Sequence, residues 1–211
     1  MRHGLIAFVF AVVLVIAPTR EAAAVKGFTP QLAIGASLNQ TEWASGSQNE
    51  GVFQSGAGLS IGGRLGYDVS FIPILSIDVG LTFEYHSAKV ADTVKVGLQT
   101  YSLANATASL FWLGGGPSFR LNLKFVEPFA GIDFGYALFL AYDLPTVLTL
   151  SGSSYGFAIS PYGGVYFRLF GWFGVGPVFR YTRFTATNSF GVEAGTGKFM
   201  TVALAVKFTL P

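Results

Sequence analysis

The residues best placed to do chemistry lie in one short stretch, "LSIDVGLTFEYH", residues 75 to 86. Glu84 and His86 stand two positions apart, and the only other histidine is His3. Alternate residues of an extended strand share a face, which brings the two side chains together with Cα atoms ~6.7 Å apart. A carboxylate beside an imidazole is the base half of a nucleophilic hydrolase, which also needs a serine hydroxyl within hydrogen-bond reach. Ser87 is adjacent but points to the opposite face, and Ser76 shares the face but lies ~33 Å away along the strand. A loop serine such as Ser45, Ser47, Ser151, Ser153 or Ser154 could still complete the set. The plainer reading is a histidine hydrogen-bonded to its neighbouring carboxylate or to water.

Other chemistries find less support. With no cysteine and one histidine beyond the first few residues, carboxylates alone remain to hold a metal. Neither an HExxH pattern nor calcium-loop spacing occurs, and no metal or cofactor is expected. "GGGP" (114–117) lacks the lysine and the strand-to-helix setting of a phosphate loop, and reads as a strand.

What positions Glu84 and His86 follows from the rest of the 211-residue chain. It begins with Arg2 and His3, followed by the apolar run Leu5 to Ile16 and then Pro18 and "EAAA". The run, about 12 residues, spans ~18 Å as a helix, short of a ~30 Å hydrocarbon core. Ala22 and Ala24 meet the small-residue rule for cleavage, so residues 1–24 read as a Sec signal peptide. Arg20 and Glu21 are unusual so close to a cleavage site, and an uncleaved anchor is the alternative. Residues 25–211 are then the mature domain.

Removing Arg2 and Arg20 leaves 11 of the 13 basic residues, and removing Glu21 leaves 10 of the 11 acidic ones. The net charge falls to about +1, and no Lys/Arg run could neutralise a row of phosphates, so no nucleic-acid partner is expected. Hydrophobic residues make up 51% of the sequence and mean hydropathy is +0.52, as in a membrane protein. Yet the mature chain holds no apolar run of helix-spanning length. Its greasiest region is broken by Asp133, Asp143 and Pro145. Only helices and closed barrels satisfy their backbone in lipid, and apolar residues spaced at period two select the barrel.

The alternation can be followed along the chain. "QLAIGASLN" sets Leu32, Ile34, Ala36 and Leu38 against Gln31, Ala33, Gly35, Ser37 and Asn39. "GLSIGGRLGYDV" sets Leu59, Ile61, Leu65, Tyr67 and Val69 against Ser60, Gly62, Arg64, Gly66 and Asp68. The stretch at 75–86 returns as the third strand. "GGGPSFRL" with "FAGIDFGYAL", and "AISPYGGVYFRL" with "FGVGPVFRYTRF", make two further hairpins, and "FMTVALAVKFTL" is a last amphipathic strand. Three hairpins plus a first and a last strand give eight. Links near 70–74, 122–127 and 169–172 are short, whereas those near 40–54, 87–106, 142–154 and 188–197 are long and polar. That asymmetry fits a barrel with its tight turns in the periplasm. The register of 94–113 stays open between loop and projecting strand. Phe71, Phe125, Phe170 and Trp172 at the short turns, with Tyr85, Tyr142, Tyr181 and Phe184 towards the loops, are expected to form aromatic girdles.

An export signal, eight amphipathic strands and an amphipathic last strand resemble the small outer-membrane β-barrels of the OmpA/OmpX/OmpW-like superfamily, across essentially the whole mature chain. The resemblance implies a monomeric barrel in the outer membrane of a Gram-negative cell. Its partners would be outer-membrane lipids and lipopolysaccharide, periplasmic chaperones and the barrel-assembly machinery, and an envelope protein docked on its loops. The end "KFTLP" departs from the aromatic terminus usual there, although Phe208 stands in phase. No peptidoglycan-binding domain is expected beyond the barrel.

Eight strands leave an interior just wide enough for side chains to fill. Arg64, Arg120, Arg168, Arg180 and Lys207 fall on the inner face with Asp68, Asp78, Glu84 and Asp133. Charges so nearly balanced are expected to pair into a plug rather than line an ion-selective pore. Glu84 and His86 would then sit near the extracellular rim, the level at which some small outer-membrane barrels modify lipid A. The expected role is non-enzymatic: structural, adhesive or docking. An OmpW-like conduit for small apolar solutes and a lipid A-modifying enzyme are the alternatives, and a soluble lipocalin-like barrel is the alternative fold.

Overall fold

The computed structural model describes residues 27–45, 49–89, 93–96, 99–102, 107–142, 153–187 and 193–210. The expected signal peptide and Pro211 lie outside them. The strands in chain order are β1 (Gly27–Ser45), β2 (Asn49–Ile72), β3 (Leu75–Lys89), β4 (Thr93–Val96), β5 (Gln99–Ser102), β6 (Thr107–Leu121), β7 (Val126–Tyr142), β8 (Ser153–Phe170), β9 (Phe173–Thr187) and β10 (Glu193–Phe208). All but β4 and β5 close into one antiparallel barrel, in the order β1-β10-β9-β8-β7-β6-β3-β2. Closure comes from β1, which pairs with both β2 and β10, for example Gln31 with Arg64 and with Lys207. The eight-stranded barrel expected from the alternation is the fold, and "GGGP" lies within β6.

The two faces follow residue parity. Leu32, Ile34, Leu38, Leu59, Ile61, Leu65, Tyr67, Val79, Leu81 and Phe83 all point outward and are exposed. So are Leu113, Phe119, Phe134, Phe157, Phe179, Val202 and Leu204 on the remaining wall. Left in water, such a continuous apolar belt would be strongly unfavourable at ~25 cal/mol per Å². Against acyl chains it has no such cost, so this wall spans a membrane. A lipocalin-like barrel would carry the opposite polarity.

Inward positions alternate glycine with large side chains. A methyl group on Gly131 would fall 2.6 Å from Cζ of Tyr162, and one on Gly66 would overlap the Asp78 carboxylate. The glycines are the sockets that let bulky residues of the neighbouring strand cross the lumen.

The strands are longer than their alternation suggested. Residues 40–54, expected as a loop, are mostly strand. Beyond a register shift at Leu38/Gln40, β1 and β2 stay paired out to Ser45 and Asn49. Above the membrane a strand needs no apolar face, so its polar sequence imitates a loop. Within 94–113, the first part forms the hairpin β4–β5, pairing Val94 with Tyr101, and β6 begins at Thr107. The link at 122–127 is also shorter than expected, since β7 starts at Val126.

At the turn end, Phe125, Phe170 and Trp172 project outward, with Trp172 stacked between Phe170 and Phe208. Leu210 exchanges both backbone hydrogen bonds with Phe28 at 2.9 Å, and Thr209 donates to the Trp172 carbonyl at 2.8 Å. The last residues are thus held from both sides. Tyr85 and Tyr181 are half-buried towards the loop end. The Phe71 and Tyr142 side chains lie outside the described residues. Phe184 corrects the girdle expectation: it shares parity with Arg180 and Thr182, points inward and is buried.

Candidate functional site

The inner face carries most of the polar residues of the described wall, and all eight barrel strands contribute to it. In the middle of the lumen, Arg64 of β2 reaches across to two carboxylates. Its Nε meets Asp78 Oδ1 at 2.9 Å and its Nη1 meets Asp133 Oδ1 at 2.8 Å. The same guanidinium donates to Thr82 at 2.9 Å and to the Gly116 carbonyl at 2.6 Å. Asp133 Oδ2 in turn accepts from Thr82 and from Arg180 Nη1, both at 2.9 Å. Charge-assisted bonds of this kind satisfy groups that would otherwise be costly to bury.

From this centre the network runs both ways. Towards the loops, Arg180 Nε holds Glu84 Oε1 at 2.7 Å, and Glu84 Oε2 holds His86 Nε2 at 3.1 Å. The Arg180 guanidinium also lies 4.3 Å from the Tyr162 ring centre and 5.2 Å from that of Trp112, a cation between aromatic faces. Towards the turns, Arg120 Nη2 meets Asp78 Oδ2 at 3.1 Å, while its Nη1 faces Glu127 at 3.7 Å and Asp68 at 4.0 Å. Glu127 is the hub at this end, paired with Arg168 at 2.8 Å and with Lys207. Thr29 of β1 donates to Asp78, and Tyr166 donates to Gln31 at 2.7 Å. One chain of alternating charge therefore runs from Glu84 to Arg168 and Lys207.

All the inward charges expected from parity lie in this network. Glu127 was not among them, because "NLKFVEP" reads as a turn. Parity counted back from Asp133 would have found it, and it makes five carboxylates for five cations among the described side chains. Above the charges the lumen turns apolar, with Leu110, Trp112, Ala137, Phe139, Ala158, Phe184 and Phe199 at most 5% exposed. A cavity of about 30 Å³, bounded by Gln31, Arg64, Glu84, Tyr162, Tyr166 and Arg180, has room for about two waters.

The pair expected at an open rim is placed differently. His86 is fully buried, its ring 4.6 Å from that of Phe199, because β3 runs on to Lys89 and its neighbours rise further. Register puts Ser60 directly across from His86 on β2, 26 positions away in sequence. Neither His86 ring nitrogen is hydrogen-bonded to a hydroxyl, and Glu84 is committed to Arg180. The loop serines lie outside the described side chains. Among the described residues no group of three or more metal-binding side chains occurs.

No protein-family model matches the sequence, and no curated protein is similar enough to count as a relative. Solved structures do share the fold. Neisserial surface protein A aligns over 87% of this chain and 97% of its own, at 16% identity and a TM-score of 0.55. The outer membrane protein OprG from Pseudomonas aeruginosa covers 90% and 99%, at 13% and 0.52. The outer membrane protease OmpT from Escherichia coli covers 87% and 97%, at 6% and 0.50. Surface protein, outer-membrane protein and protease share this architecture. The chain is an outer-membrane-type barrel, and its role must be argued from its own residues.

Proposed function

We propose that this outer-membrane barrel neither conducts nor catalyses, and that it works as a rigid monomeric stave holding its long loops at the cell surface. There they serve adhesion or dock an envelope partner. The filled lumen carries this reading: a continuous charge network beneath an apolar layer, with a cavity of only about 30 Å³ beside Arg64 and Arg180 at its centre. A conduit for small apolar solutes would need the layer of Trp112, Phe139, Phe184 and Phe199 to enclose a pocket, whereas these residues fill the space themselves. A lipid A-modifying enzyme would need His86 within reach of lipid, whereas it is sealed inside.

Function then falls to the segments beyond the membrane, as is usual where a scaffold is inert. Planar-bilayer recording tests this reading. The purified protein is expected to show no stepwise conductance above the lipid baseline. Discrete openings that Arg64→Ala or Asp78→Ala enlarges would overturn it.

A further inference from the structure

Gln31 of β1 is only 8% exposed, and its side chain carries two hydrogen-bonding ends. One end is used: Tyr166 donates to Oε1 at 2.7 Å. The other, Nε2, is buried and has no hydrogen-bond partner among the described residues. Turning the amide over exchanges the two atoms and leaves one end unmet all the same. A buried polar group in that state is costly, and such groups are nearly always satisfied by protein or by ordered water. Gln31 lines the cavity of about 30 Å³ at the centre of the lumen, together with Arg64, Glu84, Tyr162 and Arg180.

The same lining selects the occupant. An anion there would lie against the Glu84 carboxylate, and a cation against the guanidiniums of Arg64 and Arg180. Water can both accept from the amide and donate to the carboxylate, and the volume suits about two of them.

We propose that the cavity is a binding site for two ordered waters that join Gln31 to Glu84. Every donor in the resulting chain points the same way. Tyr166 donates to Gln31 Oε1, Gln31 Nε2 donates to the first water, and the waters donate in turn to Glu84. With a carboxylate as the last acceptor, each bond polarises the next. The bridge ties Gln31 and Tyr166, themselves neutral, to the charge network through Glu84, and so couples β1 and β8 to β3.

Proton-detected solid-state NMR tests the site on the full-length protein, deuterated, isotope-labelled at glutamine nitrogen, refolded in ordinary water and held in lipid bilayers. The side-chain amide signal that disappears in Gln31→Met identifies the residue. In the wild type this amide should show a cross-peak to water. Ala205 also lines the cavity, and Ala205→Val brings two methyl groups into it. That change should abolish the cross-peak and lower the urea midpoint, because water is displaced and its bonds are not replaced. A wild-type amide without a water contact would overturn the site, and this reading needs no variant to fold. A water contact that survives Ala205→Val unchanged would also overturn it. So would a raised midpoint in Ala205→Val, the response of a dry cavity to being filled.

Discussion

Arg64 and Asp133 stand 69 positions apart in sequence and meet at 2.8 Å in the middle of the lumen. Asp133 is also the carboxylate that joins Arg64 to Arg180. Removing one member of a buried pair leaves the other uncompensated, at a cost of about 3–5 kcal/mol. Asp133→Ala should therefore lower unfolding stability by that amount, read from urea titration of the refolded barrel in lipid vesicles. Arg64→Ala/Asp133→Ala should lose clearly less than the two single changes added together. Strict additivity would mean that the pair is not coupled in the folded barrel.

Gly131 tests the sockets of the inner face. An added methyl would lie 2.6 Å from Tyr162 Cζ and 2.7 Å from Ser118 Cβ. Overpacking of this kind costs ~1–3 kcal/mol, and Tyr162 cannot yield easily because Arg180 lies against its ring. Gly131→Ala should lower the urea midpoint, and adding Tyr162→Leu should recover part of the loss. Gly171→Ala, with nothing within 4 Å of the added carbon, should stay within ~0.5 kcal/mol of wild type. A Gly131→Ala protein as stable as Gly171→Ala would contradict the register of β7 against β8.

Alternation at period two was enough to read the barrel and the inward charges, because lipid imposes an apolar outer face on every stave. Where lipid no longer acts, the signal fails. The sequence of the paired arms beyond Leu38 and Ala57 is rich in Gln, Ser, Gly, Asn and Glu and looks like loop. Glu127 was lost because a proline and a charge beside a turn suggest a link, although parity with Asp133 placed it inside. Phe184 has the residue type of a girdle aromatic, but its parity with Arg180 points it inward. The pairings that matter most, Arg64 with Asp133 and Ser60 opposite His86, depend on strand register and closure. No local pattern encodes these.

Trp112 and Trp172 report the two faces separately. Trp112 is buried beside Arg180 in the lumen, whereas Trp172 is 55% exposed on the outer wall at the turn end. In a Trp43→Phe background reconstituted into brominated-lipid vesicles, quenching should fall on Trp172 and be strongest with bromines near the headgroup. Trp172→Phe should remove most of the quenching and leave the Trp112 emission intact. Persistent quenching after that change would place Trp112 against lipid and invert the assigned faces.

Glu127 and Asp68 both face Nη1 of Arg120, and their partners rank them. Glu127 faces Lys207, Arg168 at 2.8 Å and Arg120 at 3.7 Å, whereas Asp68 has Arg120 at 4.0 Å as its ion-pair partner. Neutralising Glu127 leaves three cations with one carboxylate fewer between β6, β8 and β10. Neutralising Asp68 takes a carboxylate from one loosely held arginine that keeps Asp78 at 3.1 Å. Glu127→Gln should therefore destabilise by several kcal/mol, in the range for breaking a buried network. Asp68→Asn should cost at most about 1 kcal/mol, near the level of a weak ion pair. Urea midpoints in vesicles check the ranking. Adding Lys207→Met to Glu127→Gln should recover part of the loss, because it removes one of the cations left without a counter-charge. Equal midpoints for the two single variants would show that this end of the lumen is hydrated enough to screen its charges, and the seal would then rest on the Arg64–Asp133–Arg180 layer alone.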